Sequence, residues 1–267
     1  MSLQALGSIH VADLVAIRVS RGNDGLPYPF TQARPNSAGL PDAAALTSVC
    51  ARLRDGDLRN IRRWVETYDR ADIWVECRVL HSSHDVPDAR IMAFRAGQSG
   101  YLAVQRPDDD VVDVSELSPY SLGPAIAHLV GLTGPGSHAR IVVPKYVDYF
   151  AAAAAAAAAA EDEDDDDDYH ESVLQPVRSV VGRAVKVSNA DVRAVATIQS
   201  RCQHARSWGV DWGRRFLFLV QIRDDGDYLY DRDFSLASPI AETRLSERID
   251  GLIAEDVAVL RNRRGLQ

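Results

Sequence analysis

Val104-Gln105-Arg106-Pro107-Asp108-Asp109 returns 116 residues later as Val220-Gln221-Ile222-Arg223-Asp224-Asp225. In both copies an apolar, strand-like run ends in aspartates, which favour tight turns, and a second short strand-like run follows. Beyond the turn the match resumes at a spacing of 120: Ser118-Pro119 against Ser238-Pro239, and Gly131-Leu132 against Gly251-Leu252. Between those markers Ala125, Leu129 and Leu132 answer Leu245, Ile249 and Leu252, each set tracing one stripe of a helix. The four-residue change in spacing falls between turn and helix, where insertions cost little. The pattern predicts two copies of a hairpin-then-helix unit. Strands follow strands through hairpin turns, so the expected fold is α+β: a quasi-twofold repeat of antiparallel-sheet-plus-helix units around a central sheet.

Working outward from the first copy, Asp42–Leu53 reads as a helix capped by Asp42, with Leu46, Val49, Cys50 and Leu53 on one face and Gly56 as its stop. Asp57 is placed to cap a second helix carrying Leu58, Ile61, Val65 and Tyr68. The period then changes to two. Ile73, Val75, Cys77 and Val79 alternate with Trp74, Glu76 and Arg78, and further strands are expected at 89–95, 101–106 and 111–116, with a helix over 119–132. The second half repeats this order: a helix at 172–181, strands at 192–200, 216–223 and 227–232, and a helix from Pro239 onward.

Ten alanines, Ala151–Ala160, run into the acidic stretch Glu161–Asp168. An alanine helix that short is marginal without packing, and acids at its C-terminal end oppose the helix dipole. The expected organisation is one integrated unit of two halves, 1–149 and 171–267, joined by a low-complexity spacer, 150–170. That acidic run also accounts for the net charge of −8; without its eight acids the remaining 30 acidic residues equal the 30 basic ones. A near-neutral body removes the general electrostatic case for a nucleic-acid or anionic-membrane partner. Cys50, Cys77 and Cys202 form no CxxC pair, and no apolar run approaches 18 residues, which points to a cytosolic protein without membrane insertion.

Motifs for chemistry are sparse. His81, His84 and Asp85 share the segment His81-Ser82-Ser83-His84-Asp85-Val86-Pro87-Asp88, and an enzyme with an unrecognised site would be centred there. Its polar composition between two strands reads as a loop. Gly131-Leu132-Thr133-Gly134-Pro135-Gly136 looks like a phosphate loop, yet it follows a helix where a dinucleotide loop follows a strand, so a helix stop is expected. Trp208 and Trp212 stand among Arg206, Arg214 and Arg215, the pattern of a nucleic-acid or regulatory binding module. With a near-neutral body, however, a long hairpin loop tucked onto the core is the expected reading, and no nucleic-acid partner is expected. Neither a nucleophile elbow nor a calcium-loop spacing occurs, and no cofactor or metal is expected.

Three markers in order carry a resemblance: Leu26-Pro27-Tyr28-Pro29-Phe30 after an N-terminal apolar segment; Trp64–Leu80 leading to Gly97-Gln98-Ser99-Gly100-Tyr101-Leu102-Ala103-Val104-Gln105; and Tyr228-Leu229-Tyr230 followed by Ser238-Pro239 and a closing helix. This layout resembles the EspG family, the cytosolic chaperones of type VII (ESX) secretion in actinobacteria. The alanine-acidic join departs from the family pattern. The resemblance implies a quasi-twofold α+β fold with helical bundles, no catalytic activity, and a PE–PPE heterodimer as partner, held at its tip, kept soluble and delivered for export. In the family the loop between the second and third strands contributes to that contact, with the sheet and the C-terminal helical bundle. The matching residues are His81, Ser82, Ser83, His84, Asp85 and Val86, with Met92 and Phe94 on the next strand expected to supply the apolar part.

Overall fold

The computed structural model describes residues 3–23, 25–32, 43–107, 109–161, 184–203, 208–263 and 265. The Asp42 cap, Asp108, Arg206, the acidic run beyond Glu161 and the expected helix at 172–181 lie outside them. Among the described residues eleven strands form one sheet: β1 (Gln4–His10), β2 (Ile73–His81), β3 (Ala89–Ala96), β4 (Ser99–Gln105), β5 (Val111–Leu117), β6 (Ile141–Val142), β7 (Val185–Lys186), β8 (Val192–Arg201), β9 (Phe216–Ile222), β10 (Gly226–Tyr230) and β11 (Ala237–Pro239). Their order is β1-β5-β4-β3-β2-β8-β9-β10-β11-β6-β7, and among the described residues β6 and β7 are the only strands that pair parallel. The two halves meet side by side at β2 and β8, which pair antiparallel from Trp74↔Arg201 to His81↔Ala194. The short strand β6, encoded before the alanine run, crosses to the far edge and pairs with β11.

Both expected hairpins form. β4 turns into β5 and β9 turns into β10, each followed by its helix: α4 (Leu122–Leu129) and α6 (Glu242–Arg263). These two helices pack together on one face of the sheet, where Leu122, Ile126, Leu245, Ile249 and Leu252 meet Ile73, Val75, Cys77 and Val79 of β2 and Ile198 of β8. The alternation in β2 thus gives one face entirely to this core. α4 is shorter than expected because a turn closed by Ser121 N–H to the Ser118 carbonyl (2.9 Å) precedes it and Gly131, at φ 69°, ends it.

The opposite face is covered in two separate blocks. Over β1–β5 lie α1 (Val11–Ser20), α2 (Ala43–Asp55), a 3₁₀ turn (Arg59–Ile61) and α3 (Arg62–Tyr68), around Phe30, Trp64, Trp74, Phe94 and Tyr101. Asp57 does not cap the second of these helices: its carboxylate takes two hydrogen bonds from Arg52, both 2.9 Å, and clips α2 to the turn that follows it. Over β8–β10 lies α5 (Pro144–Glu161). This helix starts before the alanines, with Pro144 in the position proline tolerates, and Tyr146, Val147 and Phe150 dock on the Phe218 side of the sheet. Packing of that first turn, rather than alanine propensity, anchors it. Among the described residues no helix is long and apolar enough to cross a membrane.

Candidate functional site

Between the two blocks the sheet is left open. Arg78 and Leu80 of β2, Val195 and Thr197 of β8 and Phe218 of β9 form the floor of a cleft of about 380 Å³. Tyr146, Tyr149 and Phe150 of α5 make one wall, and the segment Trp208–Val210 with Trp212 makes the other, with Tyr28 at one end. A smaller hollow of about 190 Å³ shares Leu80, Lys145, Tyr146 and Val195 and carries the cleft on to His81 and Ser82. Tyr149, Trp208, Trp212 and Leu80 are 56, 50, 42 and 36% exposed, a concentration of large apolar side chains that water meets directly. Covering such surface contributes roughly 25 cal/mol per Å².

The aromatic wall is held from several sides. The Trp208 indole N–H donates to the Phe30 carbonyl at 3.2 Å, and its ring meets Tyr28 edge-on, centroids 5.1 Å apart. The Arg78 guanidinium sits 5.9 Å from the Trp208 ring centre, a cation–π contact. Trp212 packs edge-on against Phe216 (5.3 Å) and Tyr149 (5.7 Å), tying this wall to the α5 wall. Below them the Gln199 side chain accepts from the Asp211 N–H and donates to the Asp211 carbonyl, at 2.9 and 2.8 Å. Burial pushes the Tyr28 hydroxyl above its ordinary pKa, so it stays protonated where it meets Thr197 Oγ1 at 3.4 Å.

The structure sorts the residues singled out from sequence. His81–Asp88 is the β2–β3 connection. Ser82 is tied to the Arg193 carbonyl by both its N–H and its hydroxyl (2.9 Å each), and Asp88 accepts from the His81 N–H at 3.2 Å. Ser82, Ser83, His84, Asp85 and Val86 are exposed, with Val86 at 47%. Asp88 also lies 3.5 and 3.6 Å from Arg78 and Arg90, so the loop is fastened to the cleft floor through Arg78. No group of three His, Cys, Asp or Glu side chains that could hold a metal occurs among the described residues.

Met92 and Phe94 correct the expectation placed on them. Both are fully buried among Trp64, Tyr101 and Val114 beneath the N-terminal helices, and cannot supply a surface. Their face of β3 is the one those helices cover, which the alternation of a single strand does not reveal. The large apolar side chains exposed at the cleft are instead Leu80, Trp208, Trp212 and Tyr149.

Arg214 and Arg215 are committed to Asp256 and Glu255 of α6, which fastens the aromatic segment to the opposite face's helix. The glycine loop after α4 is likewise occupied. Asp227 Oδ2 accepts from the N–H groups of Thr133 (2.5 Å) and Gly134 (2.8 Å), the donors an anion would otherwise take. Tyr146, Tyr149 and Phe150 are the site residues that the sequence reading missed. Their signal is the aromatic density just before the alanine run, which becomes a site only when α5 folds back over β9.

The sequence model of the EspG family matches residues 14–215. The chain's fold resembles that of the Mycobacterium tuberculosis type VII secretion system chaperone EspG5, solved in complex with a PE25–PPE41 dimer, with a TM-score of 0.50 and 14% identity over 92% of this chain and 95% of that one. No curated protein matches the sequence significantly. The family pattern spans most of the chain, from α1 through the segment that carries Trp208 and Trp212, and the protein belongs to the EspG family.

Proposed function

We propose that this protein is a cytosolic chaperone of a type VII secretion system that holds the tip of a PE–PPE heterodimer in the cleft between α5 and the Trp208–Trp212 segment. The observation that carries the reading is the open aromatic cleft itself, ringed by half-exposed Trp208, Trp212 and Tyr149. Tryptophan and tyrosine with one apolar side and one polar group are the residues on which interface energy concentrates. The exposed end of the His81–Val86 loop extends the surface by one rim, where the smaller hollow also carries Lys145. The chaperone role is one of binding and covering, without a catalytic step.

The same reading treats residues 1–149 and 171–267 as halves of one integrated unit and 150–170 as their join; the β2–β8 pairing supports it. An interface of ordinary size, about 1,600 Å², suffices for stable binding. Co-expression with the PE–PPE pair encoded nearest the gene, followed by size-exclusion chromatography and mass determination, tests the proposal. A 1:1:1 complex that keeps the pair soluble supports it. Absence of a complex with every PE–PPE pair of the same genome overturns it.

A further inference from the structure

Glu76 and Arg201 face each other across the β2–β8 seam, their side chains 3 and 5% exposed, with Glu76 Oε2 2.7 Å from Arg201 Nε. The register places Glu76 opposite Gln199 and Arg201 opposite Trp74, so the two charges meet on the diagonal. The other end of the guanidinium leaves the seam: Nη2 donates to the carbonyl of Gly209 at 2.5 Å. Gly209 has φ 118°, a conformation side chains rarely adopt, so this carbonyl is aimed by backbone geometry that only glycine takes readily. Two residues before Arg201 on the same strand face, Gln199 grips Asp211 from both its N–H and its carbonyl. Buried seam side chains thus seize the chain on either side of Val210, between the two tryptophans of the cleft wall.

A buried ion pair is a poor device for stability alone, because desolvation of both charges offsets their attraction and apolar replacements often do as well. An apolar pair, however, has no donor for the Gly209 carbonyl. We infer that Glu76 and Arg201 are positioning residues for the partner cleft: Glu76 orients Arg201, Arg201 fixes Gly209, and the Trp208–Trp212 wall is thereby held rigid before a partner arrives. The inference rests on the cleft being the partner site. A pre-ordered wall raises affinity by removing the ordering cost from the binding step.

The test uses the full chain carrying Glu76→Leu with Arg201→Met, and separately Arg201→Lys, which keeps the charge opposite Glu76 but lacks the second arm. Amide hydrogen exchange, thermal melting and affinity for the co-expressed PE–PPE pair are measured for each. The expected result is exchange across 208–212 accelerated about tenfold or more and affinity lowered about tenfold, while exchange elsewhere in β2 and β8 holds. Adding Trp208→Ala to Arg201→Lys then lowers affinity no further than Trp208→Ala alone. Unchanged exchange across 208–212 in both variants overturns the inference, as does accelerated exchange with undiminished affinity. A wild-type chain that binds no PE–PPE pair removes the functional reading instead, and the exchange measurement still decides whether the seam positions the wall.

Discussion

The indole N–H of Trp208 donates to the carbonyl of Phe30, 3.2 Å away and 178 positions earlier in the chain. Phe30 is fully buried in the N-terminal core, while the Trp208 ring is half exposed at the mouth of the cleft. One hydrogen bond therefore ties the core of one half to the cleft wall of the other, and Tyr28, from the same short segment as Phe30, meets that ring at its edge. The Leu26–Phe30 marker is thus part of the site's construction.

Truncating this ring is the most direct challenge to the cleft. Trp208→Ala removes a half-exposed side chain together with its contacts to Tyr28 and Arg78. Affinity for the PE–PPE pair is expected to fall by about 2 kcal/mol or more, roughly 30-fold, as for an aromatic at an interface centre. The melting temperature should move far less. Isothermal titration beside a thermal melt separates the two.

Leu80 offers a complementary case. It lies on the cleft floor at 36% exposure, and a charge there costs the folded chain little because water already reaches it. Leu80→Asp is expected to leave folding within about 1 kcal/mol of wild type and to abolish capture of the partner in a pull-down. Full retention of binding would place the partner elsewhere.

Phe94 and Met92 should behave in the opposite way. Phe94→Ala empties a site packed by Trp64, Tyr68 and Tyr101, at a cost of about 3–5 kcal/mol. Urea unfolding is expected to show the whole loss in midpoint, with partner affinity of the still-folded fraction unchanged.

Glu76 predicts a pH dependence with a definite sign. Burial pushes its carboxyl up from 4.5 to about 7, against the pull of Arg201, with Asp211 adding to the rise. A group raised on folding contributes stability that is complete below its unfolded pKa and is lost as pH climbs through the folded value. Wild type should therefore gain stability relative to Glu76→Gln as pH falls from 8 to 5, by roughly 1–3 kcal/mol. Denaturant melts of both proteins at several pH values would read it; an advantage that grows toward pH 8 instead would contradict this assignment.

Asp227 carries a structural prediction. It is fully buried and accepts from the Thr133 and Gly134 N–H groups, which lie nearer the surface, so Asp227→Ala removes the acceptor that holds this loop against β10. A loss of about 1–3 kcal/mol is expected in chemical denaturation. Partner binding, some distance from this loop, should survive in the folded fraction.

Much of the architecture was readable because it depends on local periodicity and turn chemistry. The alternation of Ile73 to Val79, the two aspartate-bearing hairpins and the stripe Leu245-Ile249-Leu252 each specify their element without reference to the rest of the chain. β1, β6, β7 and β11 were not readable in the same way. Their strands have two or three residues or, in β1, a mostly exposed pattern with a bulge between Ala5 and Gly7, and only their neighbours in the sheet define them.

The sequence alone determined a repeated hairpin-and-helix plan, the β2–β3 loop, a near-neutral body apart from one acidic run, and the family resemblance, all of which follow from residue type and spacing. Only the tertiary structure decided which face of each strand stays open. The β2–β3 register puts Phe94 and Trp74 on one side of the sheet; coverage by α1–α3 makes that side core at β3, while the gap before α5 leaves the same side open at exposed Leu80 and half-buried Val195. The cleft is a difference in how far helices from distant parts of the chain reach across one sheet, and that distance is set by long-range packing rather than by any local pattern.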